Sequence, residues 1–150
     1  MSRVVVLDAG PLGLATNPKG DPESVACAAW AQSLAAAGTR VVIPEIADFE
    51  VRRELLRASK RRGIARLDGF ATLFEYLPLT TPAMRHAARL WAQARQHGYP
   101  TAGDAALDVD VILAGQALAL NVSDVVIATT NVGHLSRFVA ADLWQNISPT

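Results

Sequence analysis

Acidic residues gather where short apolar runs of this sequence end. Asp8 follows Val4–Leu7 directly, and Glu45 and Glu50 come just after Val41–Ile43. Asp104, Asp108 and Asp110 crowd the start of the helical segment that leads into Val125–Ala128, and Asn131 lies just past that last run. In open parallel sheets, ligand sites form at the carboxyl ends of the strands. If these runs share one sheet, carboxylates from separate segments converge on one edge. Carboxylates brought together repel one another, and a hard divalent cation is the usual way to neutralise them. Each residue also has a structural role open to it: Asp8 as a turn or helix cap, Glu50 as a surface helix charge, Asn131 as a turn residue. Asp110 would suit a helix dipole. Yet Glu50 lies four residues after Ile46, between Phe49 and Val51, and Asp110 lies between Val109 and Val111. A carboxylate among apolar neighbours is costly unless it has a partner.

The elements that must position these residues are legible as alternating patterns. Val4–Leu7 and Val41–Ile43 are short, wholly apolar, β-branched runs, the signature of strands buried on both faces. Asp8-Ala9-Gly10-Pro11 reads as a turn. A helix is expected over Glu23–Ala37, ended by Gly38, and a second over Glu45–Arg62, followed by Gly63. Ala65–Leu73 is helix-like, and Phe74–Leu79 reads as a third strand. Thr80-Thr81-Pro82 opens a helix with capping hydroxyls and a Pro in its first turn. That helix runs to about His97, closed by Gly98-Tyr99-Pro100. A helix from Asp104 or Leu107 to Leu120, a strand at Val125–Ala128, a short helix over Val132–Val139 and an extended stretch at Trp144–Ile147 complete the chain. Strands alternating with helices predict an α/β three-layer sandwich on a mainly parallel sheet, with residues 1–150 as a single domain.

Composition limits the function. Apolar residues make up 51% of the chain and charged ones 19%, which suits a globular core and excludes a disordered segment. The formal net charge is zero, so any attraction to nucleic acid must be local. A single cysteine, Cys27, in an Ala-rich helical run, cannot make an internal disulfide and reads as a buried thiol. The apolar start is too short for a signal peptide, and no apolar run nears the ~20 residues of a membrane span, so a cytoplasmic setting without membrane contact is expected.

Taken together, four motifs resemble the PIN domain family, and within it the VapC-like toxin ribonucleases of type II toxin–antitoxin pairs. Leu7-Asp8-Ala9-Gly10-Pro11-Leu12 is similar to the family's opening, where an Asp ends the first strand. Ile43-Pro44, with Glu50 six residues after the Pro, is similar to its second acidic position. Asp110 through Leu118 resembles its third motif, an Asp opening an Ala-rich helix. Val126 through Leu135 resembles its last motif, a strand ending in a hydroxyl residue, one spacer and an acid, although here Asn131 stands where the family usually has Asp. An amide still offers a carbonyl oxygen but no charge. Asp108 or Asp104 could compensate. However, helical spacing sets Asp108 about 200° round from Asp110, so both point inward only if the helix begins between them.

The resemblance implies a metal-dependent endoribonuclease that hydrolyses RNA phosphodiester bonds. Asp8, Glu50 and Asp110 would be its catalytic carboxylates, and Asn131 would join them as ligands of Mg²⁺ or Mn²⁺. Thr129 or Thr130 would contact the phosphate or orient a ligand. An antitoxin protein and a second copy of the chain are the implied partners. The alternative is a weak or inactive PIN-like domain that binds RNA or a partner, which Asn131 favours. A nucleotide- or phosphate-binding regulator on a similar sheet lacks the P-loop or GxGxxG it would need. Between residues 52 and 66 lie Arg52, Arg53, Arg57, Lys60, Arg61, Arg62 and Arg66, with Glu54 opposing. This run is either a solvated helix face, a phosphate-contacting ridge, or a surface for an acidic antitoxin segment. No aromatic residue interleaves it, so base stacking is not indicated there. Trp30 and Trp91, in helices, read as core or interface. The scattered His86, His97 and His134 suggest no triad.

Overall fold

Val4–Leu7 carries no polar side chain on either face, so it can only sit where both faces are covered. In the structure, a computed structural model describing residues 3–98 and 103–149 apart from the side chain of Asp104, it is the central strand. In chain order the elements are β1 (Val4–Leu7), α1 (Ala9–Ala15), α2 (Pro22–Ala36), β2 (Arg40–Pro44), α3 (Glu45–Arg57), α4 (Arg61–Leu73), β3 (Glu75–Leu77), α5 (Thr81–Gln96), α6 (Asp104–Ala119), β4 (Val125–Thr129) and β5 (Ala141–Leu143). The sheet order is β3-β2-β1-β4-β5, and all four pairings are parallel. Val5 faces Val41 on one side and Val126 on the other, and Leu7 lies beside Ala128.

Alternation along the strands divides the core in two, giving the expected three layers. Val5, Leu7, Val41 and Ile43 pack with Leu12 of α1, Cys27 and Leu34 of α2 and Leu67 of α4. Val4, Val6, Val42 and Ile127 point the other way, onto Leu113, Ala114 and Ala117 of α6. At the start of α3, Ile46 enters one core and Ala47 the other. Gln116, fully buried on α6, ties that junction down: its Oε1 accepts from the backbone N–H of Ile46 at 3.1 Å and its Nε2 donates to the carbonyl of Leu77 at 2.9 Å.

Several boundaries differ from the sequence expectation. The sheet is wholly parallel. Asp8-Ala9-Gly10-Pro11 is no simple turn, because Asp8 caps α1 and the chain turns straight into that helix. The helix expected over Glu45–Arg62 ends at Arg57, where Ser59 takes a left-handed φ of 54°, and Gly63 belongs inside α4. In place of a helix over Val132–Val139 there is one 3-10 turn, Leu135–Arg137. The final strand is Ala141–Leu143, and Trp144–Asn146 forms another 3-10 turn rather than extended chain. Trp144 is buried, with its ring centroid 5.5 Å from that of Trp30, and the Trp30 indole donates to the Ile147 carbonyl at 2.7 Å. Tyr99 and Pro100, expected to close α5, lie outside the described residues.

Helices α5 and α6 pack on each other along small residues. Ala87 and Ala94 of α5 share a cluster with Leu107 and Val111 in the first half of α6, while Gly115 near the end of α6 meets Ala83 at the start of α5, so the two helices run in opposite directions. At Gly115 they touch so closely that a Cβ would overlap the carbonyl oxygen of Ala83. Mid-helix Gly→Ala ordinarily stabilises by about 1 kcal/mol. Here the obstacle is backbone, which cannot swing aside as a side chain can. Gly115→Ala is therefore expected to destabilise the fold by about 1–3 kcal/mol. Urea denaturation would show it as a lower midpoint, and a midpoint at or above wild type would disprove so close a contact.

Candidate active site

Asp8 leaves β1 at its carboxyl end and is held by two hydrogen bonds. One carboxylate oxygen accepts from the Ala9 N–H at 2.7 Å, capping α1. The other accepts from the Thr129 hydroxyl at 2.8 Å. Thr129 is itself buried at the end of β4, where its Oγ1 accepts from the Asn131 N–H at 3.2 Å. The hydroxyl thus relays the turn after β4 onto Asp8. Burial raises the Asp8 pKa, against the pull of both hydrogen bonds.

Glu50 on α3 and Asp110 on α6 both lie close enough to Asp8 to feel its charge. Burial, then the charge of Asp8, pushes the Glu50 carboxyl up to about 7, with Asp110 adding to the rise and Arg53 opposing it. Burial and then Asp8 raise Asp110 to about 6, while His134 pulls it down. The three carboxylates therefore share one electrostatic environment although they come from three separate elements. None of the ion pairs among the described residues involves any of them.

The remaining expected residues are placed less centrally. Asn131 is exposed, and its backbone is hydrogen-bonded to the Thr129 hydroxyl. Glu45 is used structurally, its Oε1 accepting from the Leu79 N–H at 2.7 Å. Because α6 begins at Asp104, ahead of both acids, Asp108 is turned out to solvent and cannot take the place of a fourth acid beside Asp110. The Asp104 side chain lies outside the described residues. His134 is the neighbour that sequence reading missed. It lies half-buried at the start of the 3-10 turn, and only folding of the segment after β4 brings it near Asp110.

The basic run is divided between two uses. Arg52 pairs with Asp48 at 3.0 Å and Asp68 at 2.7 Å, and Arg57 with Glu54 at 2.7 Å, so more than Glu54 opposes the run. Arg53, Lys60, Arg61 and Arg62, joined by Lys19, line a cavity of about 810 Å³ that also holds Glu50 in its wall. Gly10 and Gly13 of α1 form part of the same lining, so the cationic cavity abuts the acidic cluster.

The family's sequence profile matches residues 5–137 as "PIN domain". The chain belongs to the PIN domain family. Solved structures agree on the fold. VapBC2 from Rickettsia felis bound to a DNA fragment from their promoter matches at 18% identity and TM-score 0.70, over 94% of this chain and 98% of that one. FitAcB from Neisseria gonorrhoeae matches at 19% and 0.68, over 95% and 99%. DNA-bound VapBC from Salmonella typhimurium matches at 21% and 0.66, over 96% and 99%. No curated protein matches in sequence.

The donor set of this PIN domain suits a hard divalent cation. Three partly desolvated carboxylates are coupled through the charge of Asp8, and Arg53 and His134 act on them in the opposite sense. Among the described residues no group of three His, Cys, Asp or Glu side chains is yet drawn tightly enough to ligate one ion. Without an ion, the acids resist ionising. Glu50 and Asp110 hold protons to higher pH folded than unfolded, so unfolding releases protons and stability falls as pH rises. The fall runs from the ordinary 4.5 to about 7 for Glu50 and from 3.8 to about 6 for Asp110. In EDTA the melting temperature should therefore drop between about pH 4 and pH 7, and Glu50→Gln should flatten the drop and melt higher than wild type at neutral pH. A variant that melts lower at every pH would mean that Glu50 is not repelled by its neighbours.

Proposed function

We propose that this PIN domain is a Mg²⁺- or Mn²⁺-dependent endoribonuclease, the toxin half of a toxin–antitoxin pair acting in the cytoplasm. The observation that carries the reading is the mutual repulsion of Asp8, Glu50 and Asp110, from three elements meeting at the carboxyl edge of a parallel sheet. Such an arrangement is costly for stability, and a bound cation offsets that cost. Asp8, Glu50 and Asp110 would hold the ion through carboxylate oxygens, with Asn131 offering its amide oxygen as a fourth donor. When bound, the ion activates a water and offsets the charge developing on the scissile phosphate.

The chain's own side chains do the rest. Thr129 and the Ala9 N–H fix the Asp8 carboxylate, so its rotamer is set in advance. Arg53, Arg61, Arg62 and Lys19 offer donors to RNA phosphates in the adjoining cavity. The same cavity has an apolar share in Val51 and Leu55, which suits it to a partner segment that would shut the site. This chain's match to the VapBC and FitAcB structures supports an antitoxin partner for it, and a homodimer is proposed on the family resemblance alone. A second reading, a weak or inactive domain that binds RNA or a partner, is favoured by Asn131 in place of an acid.

Cleavage of single-stranded RNA in a Mn²⁺ titration separates the two. Asp8→Asn should abolish cleavage, by a hundredfold or more on the scale of metal-ligand loss, while the fold persists because Asn caps helices as well as Asp does. Undiminished cleavage by that variant would end the metal mechanism. Asn131→Asp should melt lower than wild type in EDTA and gain more from added Mn²⁺. Equal gains in the two proteins would take Asn131 out of the coordination sphere.

A further inference from the structure

The net charge of zero hides a second cationic surface. From Tyr76 to Gly103 the sequence contains no Asp or Glu, yet it carries Arg85, Arg89 and Arg95 with His86 and His97. Within this stretch α5 turns Ala83, Ala87 and Ala94 inward, which commits its other faces to solvent. At helical spacing Arg85 and Arg89 form one exposed row, and Met84, Ala88, Trp91 and Arg95 form the row beside it. Trp91 is 39% exposed and Met84 43%, so an aromatic ring stands at the surface beside the arginine row. The Arg95 guanidinium lies over the Trp91 ring, 5.3 Å from its centroid.

The position of this face matters. Helices α5 and α6 run in opposite directions, with Ala94 beside Leu107 and Ala83 beside Gly115. The second half of α5, with Trp91 and Arg95, therefore lies alongside the first half of α6, which carries Asp110. Both are at the end of the molecule where the carboxylates meet.

We propose that the outward face of α5 is a second RNA-contacting surface, where Trp91 stacks on an unpaired base and Arg85 and Arg89 follow the phosphates. This rests on reading the chain as one that acts on RNA. A cationic row beside an exposed aromatic is the chemistry of single-stranded nucleic-acid grooves: the charges track the backbone and the ring takes any base. The run between residues 52 and 66 has the charges without the ring. A second copy of the chain is a poor occupant, because a two-fold contact would set the Arg85–Arg89 rows against each other.

The test is fluorescence anisotropy with a labelled single-stranded RNA of about 16 nucleotides, titrated with the full chain in EDTA so that no cleavage occurs. Trp91→Ala should weaken binding about tenfold, and Trp91→Phe should retain most of the affinity. Arg85→Ala combined with Arg89→Ala should lower the slope of log affinity against log salt by about 0.7 for each charge removed. Trp91-dependent binding in a protein that does not cleave with Mn²⁺ would leave this surface standing and sink the nuclease reading. Wild-type affinity and salt slope in these variants, or no RNA binding by wild type, would overturn the proposal. Equal competition by double-stranded DNA would overturn it too, as would a dimer that Trp91→Ala splits without changing RNA affinity.

Discussion

The carboxamide of Gln116 is the contact on which the site's assembly depends. It is buried where α6, the start of α3 and the end of β3 meet, and it satisfies a backbone donor and a backbone acceptor at once. Losing it would leave the Ile46 N–H and the Leu77 carbonyl without partners in the interior, at about 1–3 kcal/mol for each group. The consequence goes beyond stability. Glu50 stands four residues beyond Ile46 on α3, and Asp110 stands six residues before Gln116 on α6. One side chain thus fixes the relative placement of two helices that each deliver a carboxylate. Thr129 does the corresponding work between β4 and Asp8.

Charge is distributed around these anchors in a consistent way. Acids are partly desolvated at one edge, where burial first and then the charge of Asp8 lift Glu50 to about 7 and Asp110 to about 6. Some cations are neutralised by structural partners, as Arg52 is by Asp48 and Asp68. Others, such as Arg61 and Arg62, line the cavity beside the acids. A chain neutral in sum is therefore strongly polarised in space, which whole-molecule composition cannot express.

Much of this was legible in the sequence because it rests on local rules. Strands buried on both faces must be apolar throughout, so β1, β2 and β4 stood out, and with them Asp8 and Glu50 beyond strand ends, whereas Asp110 lies inside α6 rather than at its start. What could not be read depends on contacts between distant segments. Helix α1 was hidden because Gly10 and Pro11 usually signal a turn. Pro11 falls in the first helical turn, where it is tolerated, and Gly10 is needed because a Cβ there would come 2.5 Å from the Thr130 hydroxyl. The break after Arg57 relies on Ser59 in a left-handed conformation, for which a serine gives no local signal. The last strand was placed three residues late because Trp144 looks like a strand residue, while its burial comes from the ring of Trp30. His134 reaches Asp110 only through the 3-10 turn.

The hydrogen bond between Thr129 and Asp8 spans 121 residues of chain. Strand β1 is made well before its neighbour β4. During synthesis, at about 5–20 residues per second, Asp8 therefore waits about 6–24 s for the hydroxyl that orients it. Until β4 is made, a nascent chain carries a central strand with one side unpaired and an acidic site that is incomplete. Whatever this site does to its target, it begins only once β4 has been translated, 121 residues after Asp8.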